Sequence, residues 1–158
     1  MAKREMVVAH VEKLLERITD NEKLNATADG EWPFTFETSN VIVRVMQGDD
    51  PLVFIFGAAT LEVPDVPEMY TFLNGVNAKL RFARCYWQEG TVYIETELIG
   101  DTVDYEELGT FMNNVGSACD AFGPEIAATF GGHTHHEKPD QHPAPPPNDP
   151  DQPVGPYL

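Results

Sequence analysis

The chain has 158 residues, 42% of them hydrophobic, and 26 acidic against 10 basic side chains give a formal net charge of -16. That length suits one domain with a real core, since domains run to roughly 100–150 residues. Binding to nucleic acid or to an anionic membrane calls for clustered Lys and Arg, so the acidic balance argues against both and fits solubility first, a basic partner second.

The spacing predicts a helix over 5–18, where Met6, Val7, Val11, Leu14, Leu15 and Ile18 recur at three and four on one apolar face. Asp20–Asn25 reads as its end. The basic residues at the start are followed by an apolar run that His10 and Glu12 interrupt, which does not fit a secretory signal; a cytoplasmic protein is expected. Trp32, Phe34 and Phe36 alternate and give a first strand one aromatic face, with Pro33 marking an edge or a strand start. Val41, Val43 and Val45 alternate with Ile42, Arg44 and Met46 in a second strand, and Gln47–Pro51 reads as a turn. Leu52–Thr60 is apolar on both faces and so is expected at the centre of a sheet.

Pro67 sits where a first helical turn tolerates proline, so a second helix is expected over 66–78, with Met69, Phe72, Leu73 and Val76 as its stripe. Gly75 inside it costs about 1 kcal/mol relative to Ala and points to close packing. Glu89-Gly90 between two alternating runs predicts a primed two-residue hairpin turn. That turn sets the register: Gln88 opposes Thr91, Trp87 opposes Val92, Tyr86 opposes Tyr93, Cys85 opposes Ile94, and Arg84 opposes Glu95. Ala83 would then face Thr96, and Phe82 would face Glu97. Asp104 with Glu107 three residues on predicts the start of a last helix, whose core stripe is Leu108, Phe111, Met112, Val115, Cys119 and Phe122. Gly123-Pro124 is expected to break or kink it, with a short helical piece over 125–130. Residues 133–158 hold eight prolines and few large apolar side chains. They cannot offset their ordering entropy by burial and are expected to form a disordered tail, polyproline-like around Pro143–Pro147. The predicted organisation is therefore a domain over 1–132 and a tail over 133–158.

The candidate chemistry is thin. Cys85 and Cys119 are too few for a disulfide scaffold and fall at apolar positions, so buried thiols are expected. His10 lies beside the first apolar stripe and reads as a structural histidine. Glu95 and Glu97 share a strand side with Arg84, which favours an ion pair over paired acid–base work. His133, His135, His136 and His142 could hold a metal loosely, but no closed ligand set is specified. No catalytic residue, metal or cofactor is assigned. Asn74 and Asn77 are attributed to hydrogen bonding at a helix C-terminus. Trp32, Phe34 and Phe36 are either ordinary core or a surface that accepts a partner segment, and they stand as the candidate partner-binding residues.

The order helix, three strands, helix, two strands, helix, with Phe-Leu-Asn-Gly-Val-Asn at 72–77 and Trp-Gln-Glu-Gly-Thr-Val at 87–92, resembles the YbjN domain family. Ala118-Cys119-Asp120 and Gly131-Gly132 add to the resemblance, which covers about residues 5–132. That family is similar in fold to class I type III secretion chaperones, and its members are described as peptide-binding chaperones or as sensory transduction regulators. The resemblance implies an α+β domain, an antiparallel five-stranded sheet with the first and third helices on one face. It also implies that the second helix helps form a homodimer, which places Met69, Tyr70, Phe72 and Leu73 near a candidate dimer contact. The function expected is non-catalytic binding of a protein or peptide, as a chaperone or regulatory adaptor. The alternative is a homodimeric stress or sensory regulator without a client, and an enzyme ranks last.

Overall fold

The computed structural model of the protein describes residues 3–137. The elements run α1 (Lys3–Thr19), β1 (Glu31–Thr35), β2 (Asn40–Val45), β3 (Leu52–Thr60), α2 (Pro67–Lys79), β4 (Arg84–Gln88), β5 (Thr91–Ile99) and α3 (Tyr105–Phe130). The five strands form one antiparallel sheet in the order β1-β2-β3-β5-β4. The architecture is the expected α+β one. β3, apolar on both faces, lies at the centre. No helix among the described residues is long and apolar enough to cross a membrane.

Alternation decides which strand side the helices cover. Val41, Val43 and Val45 are buried while Asn40, Ile42 and Arg44 are only partly so. Gly57, paired with Val41, has no Cβ because Cys119 Sγ of α3 would lie 2.8 Å from it. The same side carries Val53, Ile55, Val92, Ile94 and Cys85, and these join Val7, Val11 and Leu15 of α1, Met69, Leu73 and Val76 of α2, and the α3 stripe in a single core. Burying each such side chain contributes about 1.5–3 kcal/mol, so one face of the sheet carries the stability of the fold.

The hairpin has the expected register from Arg84↔Glu95 to Gln88↔Thr91, and Glu89 (φ 49°) with Gly90 (φ 86°) makes the primed turn. The ladder stops there. Phe82 takes φ 56° and its carbonyl accepts from Thr96 Oγ1 at 2.6 Å, so Phe82 does not pair with Glu97. Asp104 caps α3 by accepting from the Glu107 amide at 2.8 Å.

Two further expectations are corrected. Helix α3 runs unbroken through Pro124. Proline inside a helix costs about 3 kcal/mol, but here Gly123 seats against the Ala59 carbonyl and accepts from Thr60 Oγ1 at 2.9 Å, so packing onto β3 holds the helix together. Gly75 is not in close packing, since a Cβ there would meet nothing within 4 Å. The glycine that packing does require is Gly116, whose Cβ would collide with the Phe36 ring.

The chain also stays on the fold past residue 132. His133 exchanges backbone hydrogen bonds with Leu61 at 2.8 and 2.9 Å, and the His136 amide donates to the Thr38 carbonyl at 3.1 Å. The expectation of a disordered, polyproline-like tail over 138–158 falls outside the described residues.

Candidate functional site: the uncovered sheet face

The opposite side of the sheet is built from the other strand positions: Pro33 of β1, Ile42 and Arg44 of β2, Phe54 and Phe56 of β3, Tyr93 and Glu95 of β5, and Arg84 and Tyr86 of β4. None of these joins the hydrophobic cluster that the helices close, although Phe54 and Glu95 are buried within the face itself and Phe56, Tyr86 and Tyr93 are half-buried. Phe54 and Phe56 stack with ring centroids 4.9 Å apart. The Arg44 guanidinium lies 5.2 Å from the Phe54 centroid and 5.1 Å from that of Phe56, and its Nη1 donates to Glu31 at 3.1 Å. Across β5 and β4, Tyr93 and Tyr86 sit with centroids 5.7 Å apart.

Glu95 organises the far end of this face. Its side chain is 3% exposed and pairs with the Arg84 guanidinium, while Tyr86 Oη donates to its other oxygen at 2.7 Å. Burial first, and the bond to Glu95 second, push the Tyr86 phenol up to about 12, so it stays a donor well into alkaline pH. Between these groups the sheet surface is concave, with a cavity of about 360 Å³ lined by Phe54, Phe56, Tyr86 and Tyr93 together with the polar Arg44, Gln88, Glu89, Thr91 and Glu95. Aromatic rings flanked by an arginine and by a buried acid form an amphipathic surface. Such a surface takes apolar side chains and spares a few directional hydrogen bonds for orientation.

Both sheet edges are blunted. On β4 the Asn77 side chain donates to the Cys85 carbonyl and accepts from the Cys85 amide, each at 2.8 Å. Asn77 therefore serves the sheet edge, not the C-terminus of its own helix. On β1 the outward-facing groups of Glu31 are taken by Thr27 at 2.8 and 3.2 Å, and Pro33 has no amide to offer.

The sequence-derived candidates fall elsewhere. Trp32 is 1% exposed, pairs with Val43 and lies on the covered side with Phe34 and Phe36. Trp32 belongs to the core and Phe34 and Phe36 pack, partly buried, against it, so of the two readings open for these aromatics their burial fits ordinary core, on the side that the helices cover. Met69 and Leu73 are also spent in the core, and Phe72 packs edge-on to Phe130 at 5.5 Å. Tyr70 is 45% exposed and donates to Asp65 at 2.7 Å. Reasoning from sequence missed Arg44, Phe54, Phe56, Tyr86 and Tyr93 as a group. The signal was present in β3, whose second apolar side had no helical stripe left to match it.

His10 Nε2 lies 2.8 Å from the Val103 carbonyl, a structural contact. Burial pushes the Cys85 and Cys119 thiols up to about 12, which keeps them protonated and poorly nucleophilic. Among the described residues, no three His, Cys, Asp or Glu side chains come together to hold a metal ion.

The fold is a helix-backed α+β domain with one aromatic sheet surface outside the helical core. A family model described as T3SS (YopN, CesT) and YbjN peptide-binding chaperone 1 matches residues 5–138, and the chain belongs to that family. The fold is also that of a chain in the crystal structure of the ExsC–ExsE complex, with a TM-score of 0.61 at 12% identity over 75% of this chain and 95% of that one. No curated protein matches the sequence.

Proposed function

We propose that this protein binds an extended, apolar segment of another polypeptide on the uncovered sheet face, without covalent chemistry. One observation carries the reading: Phe54, Phe56, Tyr86 and Tyr93 line a concave surface that the protein's own core does not use. Partner side chains would be buried against these rings, and Arg44, Gln88 and Glu89 would orient the partner main chain. The blunted edges favour docking across the face over addition of a strand at a margin. The family's peptide-binding description supports the same reading.

The test is selection from a random dodecamer peptide library with the full chain. Selected peptides should bind with affinity that falls about tenfold or more in Phe56→Ser and Tyr86→Ser, as anchor positions do. Equal binding to those two variants and to the parent protein would refute the assignment of this face.

A further inference from the structure

We propose that residues 143–147, Pro-Ala-Pro-Pro-Pro in the chain's own C-terminal segment, dock on the aromatic floor of the uncovered face and serve as its intramolecular ligand. The inference rests on the reading of that face as a peptide site, and it adds both the ligand class and its source.

The path of the chain after α3 is the first argument. Gly131 (φ 100°) and Gly132 (φ 90°) turn it off the helix in a conformation that side chains disfavour. His133 then pairs with Leu61, and Thr134 comes up against Gly123. The His136 amide reaches the Thr38 carbonyl, and His136 Nε2 sits 3.0 Å from Asn40 Oδ1. Asn40 shares its strand side with Ile42 and Arg44. By residue 137 the chain has thus been carried from the helix layer, around the end of the sheet, to the margin of the open face.

Reach is the second. Ile42 is two residues along β2 from Asn40 and pairs directly with Phe56. At about 3.3 Å per strand residue and about 4.8 Å between strands, the floor begins within about 10 Å of Asn40. Six residues at the polyproline rise of about 3.1 Å each span about 19 Å, so the segment starting at Lys138 brings Pro143 onto Phe56 with length to spare.

Chemistry is the third. A proline run carries few amide donors, so it needs no partner strand and suits docking across a face over pairing at an edge. Its preset backbone lowers the entropy lost on docking, and proline rings pack on aromatic side chains. The floor supplies stacked Phe54 and Phe56 beside Tyr86 and Tyr93, with the Tyr93 hydroxyl, Arg44 and Gln88 groups beside them to meet the carbonyls. Tethering would hold the run at an effective concentration in the millimolar range, so an external segment must displace it.

The experiment uses the full chain with Asn148→Cys carrying a nitroxide. The native thiols are buried and protonated, so the new one labels alone. Amide resonances of Ile42, Phe56 and Tyr93 should be broadened, and replacing Pro143, Pro145, Pro146 and Pro147 by Ser should reverse most of that broadening. Broadening of these amides no greater than at Val11 in the helix layer would overturn the proposal, as would broadening that survives the proline replacement. A synthetic peptide of residues 142–149, added to the proline-replaced chain, separates the two readings. Shifts at Ile42, Phe56 and Tyr93 without broadening in the labelled parent would sink the intramolecular ligand and leave the face standing as a peptide site.

Discussion

The Asn77 side chain makes both hydrogen bonds that a neighbouring strand would make to Cys85, donating to its carbonyl and accepting from its amide at 2.8 Å each. A single residue of α2 thereby occupies the outward-facing groups of Cys85 on the margin of β4 and ties the helix to the sheet. Asn77→Ala should cost about 1–3 kcal/mol, because it strands two backbone groups. It should also promote self-association through the bared edge. Thermal unfolding and sedimentation velocity measure the two effects; an unchanged melting temperature would remove Asn77 from this role.

Two helical glycines should respond in opposite directions. Gly116→Ala drives a methyl into the Phe36 ring and is expected to destabilise by about 1–3 kcal/mol. Gly75→Ala meets open space on an exposed helical turn and should stabilise by about 0.5–1 kcal/mol. Urea titration of both variants checks the sign.

The Arg84–Glu95 pair is asymmetric, with side chains 62% and 3% exposed. Arg84→Met leaves a carboxylate buried with only Tyr86 to satisfy it, and should cost about 1–3 kcal/mol. Glu95→Gln keeps an acceptor in place and frees the arginine into solvent, so its cost should stay below about 1 kcal/mol. Chemical denaturation that ranks the two variants the other way round would show that the pair is not arranged as described.

Alkaline pH should weaken the fold. The Cys85 and Cys119 thiols and the Tyr86 phenol are all pushed up to about 12, with burial the largest cause in each. An unfolded thiol titrates near about 8.5. Below that value both states hold the proton and the contribution to stability is complete. As pH rises toward 12 the unfolded chain releases protons that the folded one retains, so unfolding becomes progressively easier. Melting temperature measured from pH 8 to 11 should fall, and Cys85→Ala with Cys119→Ala should flatten part of that fall. The same burial predicts slow alkylation by iodoacetamide at pH 8 until the protein unfolds.

Strand identity and hairpin register were legible because alternation and a Glu-Gly turn act locally: Arg84 meets Glu95 as the spacing requires. What sequence could not supply was the side of the sheet that the helices would choose. Trp32 and Phe56 are both aromatic strand residues, yet one lies under the helices and the other faces outward, because Gly57 and Gly116 let α3 close on only one side. Pro124 misled for a related reason. Its local penalty is real, but the contacts of Gly123 with β3 come from residues far away in the chain. The roles of Asn77 and His136 were hidden in the same way, since each is defined by a tertiary partner.

The pairing of β3 with β5 shifts between Ala58 and Thr60, where Thr60 faces Val92 and Ala58 faces Tyr93. An extra residue in one strand bends it and sharpens its twist, and Thr60 pins that warp to α3 through the Gly123 carbonyl. The curvature lies next to Tyr93, so on the proposed binding face it would set how deep a bulky side chain settles. Deleting Ala59 should iron out the surface and weaken peptide capture while the hairpin remains intact. A structure of that deletion with its hollow unchanged would mean that some other constraint bends the sheet.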